Sequence, residues 1–238
     1  MKPKAILSWS SGKDSAWTLH QLRGRAEVDV VGLVTTFTEA FDRVAMHGVR
    51  MELVEAQARA TGLPLWRVPL PWPCSNTVYE QRMRSVVEQA RSEGVTYFAF
   101  GDLFLEDIRS YREKQLADTG LQPIFPLWGT ASETRRLARD MIASGLRAVL
   151  TCVDPKQLPQ RFAGRQFDAE LLAELPASVD PCGERGEFHT YCYAGPMFAQ
   201  NLAIEVGQSI ERDGFVFTDV LPAEREWSQR KPSRTRAE

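Results

Sequence analysis

β-Rich runs and amphipathic helical runs alternate over the first 154 residues, and this alternation narrows the fold more than any other feature. "KAILSWS" (4–10) is a buried-strand run, and "DSAWTLHQLRG" (14–24) is helical with Gly24 as its stop. "DVVGLVTTF" (29–37) is a second strand, "VRMELVEAQARATG" (49–62) a helix with a Gly stop, and "PLWRVPL" (64–70) a short strand. "TVYEQRMRSVVEQARSEG" (77–94) is a helix with Val78, Met83, Val86 and Val87 on one side. "VTYFAFGD" (95–102) is a strand that ends in Gly and Asp, and "ETRRLARDMIASG" (133–145) and "LRAVLTCVD" (146–154) add a helix and a strand. Parallel strands need long crossover connections, usually helices. The expected fold class is therefore α/β, a parallel sheet with helices on both faces.

After about residue 155 the pattern changes. "NLAIEVGQSIERDGFVFTDV" (201–220) alternates Leu202, Ile204 and Val206, then Phe215 and Phe217, across an "RDG" turn. That reads as a hairpin packed on the sheet. Residues 222–238 are rich in Pro and charge, with Trp227 the one large apolar group, and read as a disordered tail. The expected organisation is an α/β domain over 1–154, a smaller C-terminal extension over 155–221 and the tail over 222–238.

Composition excludes several classes. With 43% hydrophobic and 25% charged residues the chain is ordinary for a globular protein. A net charge of −2 supplies no field that would gather nucleic acid or an anionic membrane, so neither partner is expected. No apolar run reaches the roughly 18 residues of a membrane span, no secretory signal is evident, and a cytoplasmic location is expected. Cys74, Cys152, Cys182 and Cys192 lack CxxC spacing, which argues against a zinc ribbon.

The loop between the first strand and first helix is "SWSSGKDSAW" (8–17). A plain turn needs one or two small or polar residues; here Ser10, Ser11, Gly12, Lys13, Asp14 and Ser15 stand together. Open α/β sheets bind ligands outside the carboxyl ends of their strands. A helix N-terminus there offers free N–H groups and a positive dipole end to phosphate. Gly12 permits close backbone approach, the serines add hydroxyls, and Lys13 adds a cation. Asp14 caps the helix or helps hold a metal. Two other clusters stand out: "GDLFLEDIRSYRE" (101–113), with Asp102, Glu106, Asp107, Arg109, Arg112 and Glu113, and "DPCGERGEFHTYCY" (180–193), with Glu184, Arg185, Glu187, His189 and Thr190 in a loop broken by Gly183 and Gly186. Arg109 and Glu113 also have the spacing of a surface i,i+4 pair.

The first loop resembles the pyrophosphate-binding PP-loop, S-G-G-x-D-S, with Ser11 in place of a glycine. A loop that needs φ > 0 at that position is strained by serine. With "AMHGVR" (45–50), "PIFPLWG" (123–129) and "CGERGEFHT" (182–190), the sequence resembles the diphthine–ammonia ligase family of PP-loop ATP pyrophosphatases from residue 4 to about 220. The resemblance implies a Rossmann-like sheet of the adenine nucleotide alpha-hydrolase type with a smaller C-terminal substrate-binding part. It implies ATP and Mg²⁺, cleavage to AMP and pyrophosphate, and amidation of a carboxylate by ammonia. That carboxylate is diphthine on elongation factor 2 in archaeal or eukaryotic members, and another substrate, such as a cobalamin-salvage intermediate, in bacterial ones, which "GDLFLEDIRSYRE" resembles more. Long C-terminal additions are expected of eukaryotic members and are absent from this sequence.

On this resemblance Ser8, Ser10, Ser11, Gly12, Lys13, Asp14, Ser15 and His47 bind the nucleotide. Asp102, Arg109, Glu184, Glu187 and His189 are the catalytic candidates, and Arg112, Glu113, Arg185 and Thr190 the substrate-binding ones; the metal ligands are open. The Glu187 loop is expected to form a second polar site, distant from the phosphate loop. A homodimer is compatible with this reading. Two alternatives remain: a sulfur-transfer enzyme using Cys152 or Cys182 as a persulfide carrier, and a non-catalytic nucleotide-binding protein.

Overall fold

The computed structural model describes residues 1–223. The elements run β1 (Lys4–Ser8), α1 (Lys13–Arg25), β2 (Asp29–Thr38), β3 (Arg43–Val44), α2 (Met51–Thr61), β4 (Leu65–Leu70), α3 (Asn76–Ser92), β5 (Val95–Ala99), α4 (Glu106–Leu116) and β6 (Gln122–Ile124). They continue with α5 (Thr134–Ala143), β7 (Arg147–Val153), α6 (Ala169–Glu174), β8 (Phe188–Ala194), β9 (Ile204–Arg212) and β10 (Phe215–Pro222).

Strands β4, β2, β1, β5 and β6 lie side by side and parallel. Alternation along each strand explains why both faces are covered. Leu7, Leu33 and Ala99 face one core with α1, α2 and the C-terminal half of the chain. Their neighbours Ile6, Val34 and Phe98 face a second core with Val86, Val87 and Ala90 of α3 and Leu116 of α4. From β1 the chain winds outward to β2 and β4, then returns to the other side for β5 and β6. The winding reverses between β1 and β5, the topological switch point at which a crevice opens outside the carboxyl ends. Residue Phe37 of β2 pairs with Pro69 of β4 and with Val44 of β3. The two partners occupy opposite edges, so β3 lies beyond the carboxyl end of β1 and brings the loop 45–50 over the crevice.

The strand expected over 146–154 belongs to neither edge of this sheet. It is β7, at the centre of a four-stranded antiparallel sheet ordered β8-β7-β10-β9. The hairpin over 201–220 is present as β9 and β10 around Asp213 and Gly214, but it pairs edge-on with β7 instead of stacking on the parallel sheet. Its buried face is Val216, Thr218 and Val220, the phase opposite to the Phe215 and Phe217 expectation. Those rings stay half-exposed, with the Arg212 guanidinium 5.0 Å over Phe217. Helix α1 also runs through Gly24 and ends at Ala26, which takes the left-handed conformation with φ 55°. From residue 224 the expected tail, with Trp227, lies outside the described residues.

Candidate active site

The crevice at the switch point is a cleft of about 540 Å³, a size suited to a nucleotide-like ligand. One wall is the end of β1 and the loop 9–12, a second is the loop after β5, and the third is the segment 182–190. Ser8, Ser10, Lys13, Asp14, Ser15, His47, Asp102, Arg112, Glu184, His189 and Thr190 all line it. The segment expected to form a distant second site therefore closes the same cleft. Backbone approach makes this closure tight: a Cβ on Gly101 would sit 3.1 Å from the Asp14 carbonyl carbon and from Thr18 Oγ1.

The phosphate loop is shaped by its neighbours. Ser11 has φ 70°, the left-handed region that favours glycine, so serine carries the strain expected of it there. What keeps it there is the pairing of its carbonyl, which accepts from Cys192 N–H at 2.9 Å and Gln57 Nε2 at 3.0 Å. Gln57, fully buried in α2, also donates to the Cys192 carbonyl at 2.6 Å and accepts from Trp9 Nε1 at 2.8 Å. Sequence reasoning passed over Gln57, although a polar residue at helical spacing from Leu53, Val54 and Ala58 marks a break in an apolar face. Among the described residues the N–H groups of Ser10, Ser11, Asp14 and Ser15 have no hydrogen-bond acceptor. They form a nest of donors for an anion. The Lys13 N–H is not part of it, because it donates to Thr190 Oγ1 at 3.1 Å.

Lys13 differs from the expectation of an outward-reaching cation. It is 2% exposed, with Nζ 5.4 Å from the ring centres of both Phe167 and Phe188. Its ammonium donates to Asp14 Oδ2 at 2.8 Å and to the Cys182 carbonyl. Burial pulls its pKa down, but Asp14, Cys182 and Glu184 around it together outweigh that and the net shift is upward. Lys13 stays charged and ties the phosphate loop to the 180–187 segment.

That segment is gathered by two carboxylates. Asp180 Oδ1 accepts from the N–H groups of Cys182 and Glu184 at 2.9 and 3.3 Å, and its Oδ2 accepts from Thr134 Oγ1 at 2.7 Å. Glu187, 1% exposed, accepts from the Asp180 N–H at 2.7 Å and the Arg185 N–H at 2.9 Å. Glu187 thus builds the loop and does not face the cleft, a correction to its reading as a catalytic carboxylate. Gly183, at φ 70°, passes so close to Phe188 that a Cβ would sit 2.7 Å from its carbonyl oxygen.

The geometry also removes Arg109, Glu113 and Arg185 from the cleft. Arg109 Nε donates to Glu113 Oε1 at 2.8 Å on the exposed side of α4, and its guanidinium covers Phe125 and Trp128. Arg185 is exposed, 5.5 Å over Phe104. The partners separate them: Arg109 is held on Glu113, Phe125 and Trp128, whereas Arg112, one turn on, is held over Phe100 beside Asp102 and lines the cleft.

Three groups remain chemically poised. Glu184 Oε1 accepts from the Leu103 N–H at 2.7 Å, and burial, reinforced by the Asp14 carboxylate, raises its pKa from 4.5 to about 8. His47 and His189 pack against each other with ring centres 4.5 Å apart and planes tilted by 37°. Burial lowers His189 to about 4, and burial together with His189 holds His47 well below its usual value, so both are neutral at pH 7. Asp102 Oδ2 faces Arg112 Nε at 3.5 Å, longer than a hydrogen bond, and both atoms are buried and otherwise unpaired.

Three outcomes are expected. Ser11→Gly relieves a left-handed strain of about 1–3 kcal/mol and adds about 0.5–1 kcal/mol of glycine entropy cost, so urea unfolding should show a gain of about 1 kcal/mol. Glu187→Gln leaves one buried N–H without an acceptor and should cost about 1.5–3 kcal/mol in the same assay; an unchanged midpoint with lost activity would restore it to a catalytic role. For Glu184 the folded state holds a proton that the unfolded state has released between pH 4.5 and about 8, so its contribution is lost as pH rises. The two histidines act in the opposite sense, but only below about 6.5. Between pH 6.5 and 8, Glu184→Gln should therefore become steadily more stable than the unsubstituted protein, and a pH-independent difference would refute the proton on Glu184.

The comparisons with known proteins agree with this geometry. Residues 3–123 match the diphthamide synthase N-terminal domain and residues 133–229 the diphthamide synthase C-terminal domain. A diphthine--ammonia ligase of Danio rerio is 28% identical over 89% of this chain and 90% of its own length. Those of Mus musculus and Homo sapiens are 25% and 24% identical, over 92% of this chain and 89% of theirs. The long C-terminal additions expected of eukaryotic members are thus not a feature of these vertebrate relatives. A switch-point cleft with a PP-loop on one wall and the "CGERGEFHT" segment on another, matched over both halves of the chain, places this protein in the diphthamide synthase family.

Proposed function

We propose that the chain amidates the carboxylate of diphthine on elongation factor 2 with free ammonia, and that it does so in the cytoplasm. The enzyme class is an ATP-dependent ligase of the diphthine–ammonia ligase kind. The observation that carries the reading is the convergence, in one cleft, of free phosphate-loop amides, an arginine held beside Asp102 without a hydrogen bond and a carboxyl group with its pKa near 8.

A carboxylate is not amidated directly near neutral pH, because oxide and hydroxide are poor leaving groups. In this reading an acceptor carboxylate oxygen attacks the α-phosphorus of ATP. The bond to the β-phosphate oxygen breaks, and pyrophosphate leaves into the amides of Ser10, Ser11, Asp14 and Ser15, with the Ser15 hydroxyl beside them. Ammonia then attacks the acyl carbon of the adenylate, one of its protons passes to a base, and the bond to AMP breaks. Glu184, mostly protonated below its pKa of about 8, is the base for that transfer in its ionised fraction. Neutral His47 and His189 add no positive charge to repel an ammonium ion. Arg112 orients the acceptor carboxylate from the Asp102 corner.

Asp14 Oδ1 is buried and has no hydrogen-bond partner. It fits Mg²⁺, which takes one or two carboxylates beside phosphate oxygens and water and needs no protein cage. Bound there, the ion would screen the charge of the departing pyrophosphate. The domain division follows the sheets in this reading: nucleotide binding over the parallel sheet, and an acceptor-facing part carried by the antiparallel one.

The sulfur-transfer alternative requires a reactive thiolate. Burial pushes Cys152 up to about 12, and burial also holds Cys182 well above the usual thiol range. Both are inert thiols on that account.

The test is product analysis with labelled ATP, ammonium and diphthine-bearing elongation factor 2. AMP, pyrophosphate and diphthamide are expected. Glu184→Gln should slow single-turnover amide formation by about 10²- to 10⁴-fold, while Cys152→Ser and Cys182→Ser stay within about tenfold, or 1.4 kcal/mol. ADP and phosphate as products would sink the adenylation chemistry. AMP formation that needs a different carboxylate would sink diphthine as the acceptor and leave the ligase class standing.

A further inference from the structure

A second cavity, of about 370 Å³, lies between α3 and α4 over the carboxyl end of β5. Its floor is the stacked pair Phe98 and Phe100, with ring centres 4.6 Å apart. Val87 and Leu116 supply apolar walls, and Arg84 and Lys114 stand on its rim. The Glu80 carboxylate in its lining and the Asp102 carboxylate, 3.5 Å from Arg112 Nε, offset two of the three cations Arg84, Arg112 and Lys114 and leave a positive excess of one. Tyr79, Met83, Phe100 and Arg112 line both this cavity and the cleft. No residue of the phosphate loop lines it.

The two spaces meet at Arg112. Its guanidinium lies 4.9 Å over the Phe100 ring, and its buried Nε faces Asp102 Oδ2 at 3.5 Å, an ion pair too long for a hydrogen bond. A buried donor without an acceptor is costly, and the group that best repairs it is a carboxylate, which a guanidinium takes in bidentate fashion. Apolar floor, cationic rim and a donor at the mouth describe a receptor for one kind of molecule.

We propose that the α3–α4 cavity holds the body of the acceptor, a flat or apolar group joined by a short flexible stem to a carboxylate, and that Arg112 passes this carboxylate to the nucleotide cleft. This rests on the ligase reading above and adds to it where the acceptor enters: from the α3–α4 side, away from the phosphate loop. The arrangement lets the nucleotide and the acceptor's carboxylate approach one centre by separate routes. The antiparallel sheet then serves to close the cleft, and the acceptor's body does not lie on it.

Indole-3-butyrate, with a planar body and a flexible carboxylate, is the probe, and its neutral amide is the control. Both are titrated into the ¹⁵N-labelled full chain with and without the α,β-methylene analogue of ATP. The acid should give saturable amide shifts at Tyr79, Arg84, Tyr111 and Arg112, and the neutral amide should bind at least about tenfold more weakly. Ala117 is exposed on the cavity rim with extended backbone (φ −54°, ψ 138°), so Ala117→Trp can plug the cavity without entering the core. Ala117→Trp and the exposed Arg84→Glu should each weaken the acid about tenfold and leave affinity for the ATP analogue within about twofold. The proposal is overturned if the acid does not saturate these amides at millimolar concentration, if acid and amide bind alike, or if neither variant weakens the acid. Failure of the ATP analogue to bind the unsubstituted protein would instead sink the nucleotide reading, with the acid titration still deciding the cavity.

Discussion

The Lys13 ammonium, buried between two phenylalanine rings and held by Asp14 and the Cys182 carbonyl, is the interaction on which the rest of the site depends. A charge in that position is tolerable only while it is paired, and removing one partner of such a pair typically costs about 3–5 kcal/mol. Its partners come from three parts of the chain: Asp14 from α1, Cys182 from the acidic loop, and Phe167 and Phe188 from the C-terminal half. One cation therefore sets the distance between the phosphate loop and the segment that faces it.

Around this pair the two sheets are bound by main-chain and side-chain hydrogen bonds. Gln57 uses both of its amide protons and its oxygen to join Ser11, Cys192 and Trp9. The Cys192 N–H reaches the Ser11 carbonyl, and the Thr190 hydroxyl accepts from the Lys13 N–H. The strained φ of Ser11 is explained by these contacts, since each fixes a backbone group of the loop or its neighbour. Rigidity here has a chemical use. In the proposed reaction, donors that are already aimed before the nucleotide arrives need no reorganisation when charge develops on the leaving pyrophosphate.

Burial also sorts the titratable groups by role. Glu184, whose carboxyl accepts from a backbone N–H in a carboxylate-rich corner, is held protonated up to about pH 8. Glu187, three residues on, accepts from two backbone N–H groups and serves the loop. Similar residue types in one short motif thus end in different environments, and a charge in a motif is no guide to where its carboxylate points.

Much of the architecture was legible in the sequence. Periodicity placed the parallel strands and their helices, because alternation at two and at 3.6 residues reports local backbone geometry. The six residues Ser10–Ser15 marked the candidate anion loop, because a helix that starts directly after a buried strand leaves free amides at the carboxyl end of the sheet. Strand partnership was not legible: β7 has the apolar run of a parallel strand, yet its neighbours are β8 and β10, and that choice is made by the packing of distant segments. The same holds for Arg109 against Arg112, one turn apart but held by different aromatic partners, and for Gln57, whose three partners lie 46, 48 and 135 residues away. By itself the sequence determined the fold class, the phosphate loop and the family-bearing motifs, all carried by short-range patterns. The tertiary structure alone decided that two motifs, joined by a contact between residues 169 apart, form one cleft and which of their charges face it, because long-range contacts and burial leave no local trace in the chain.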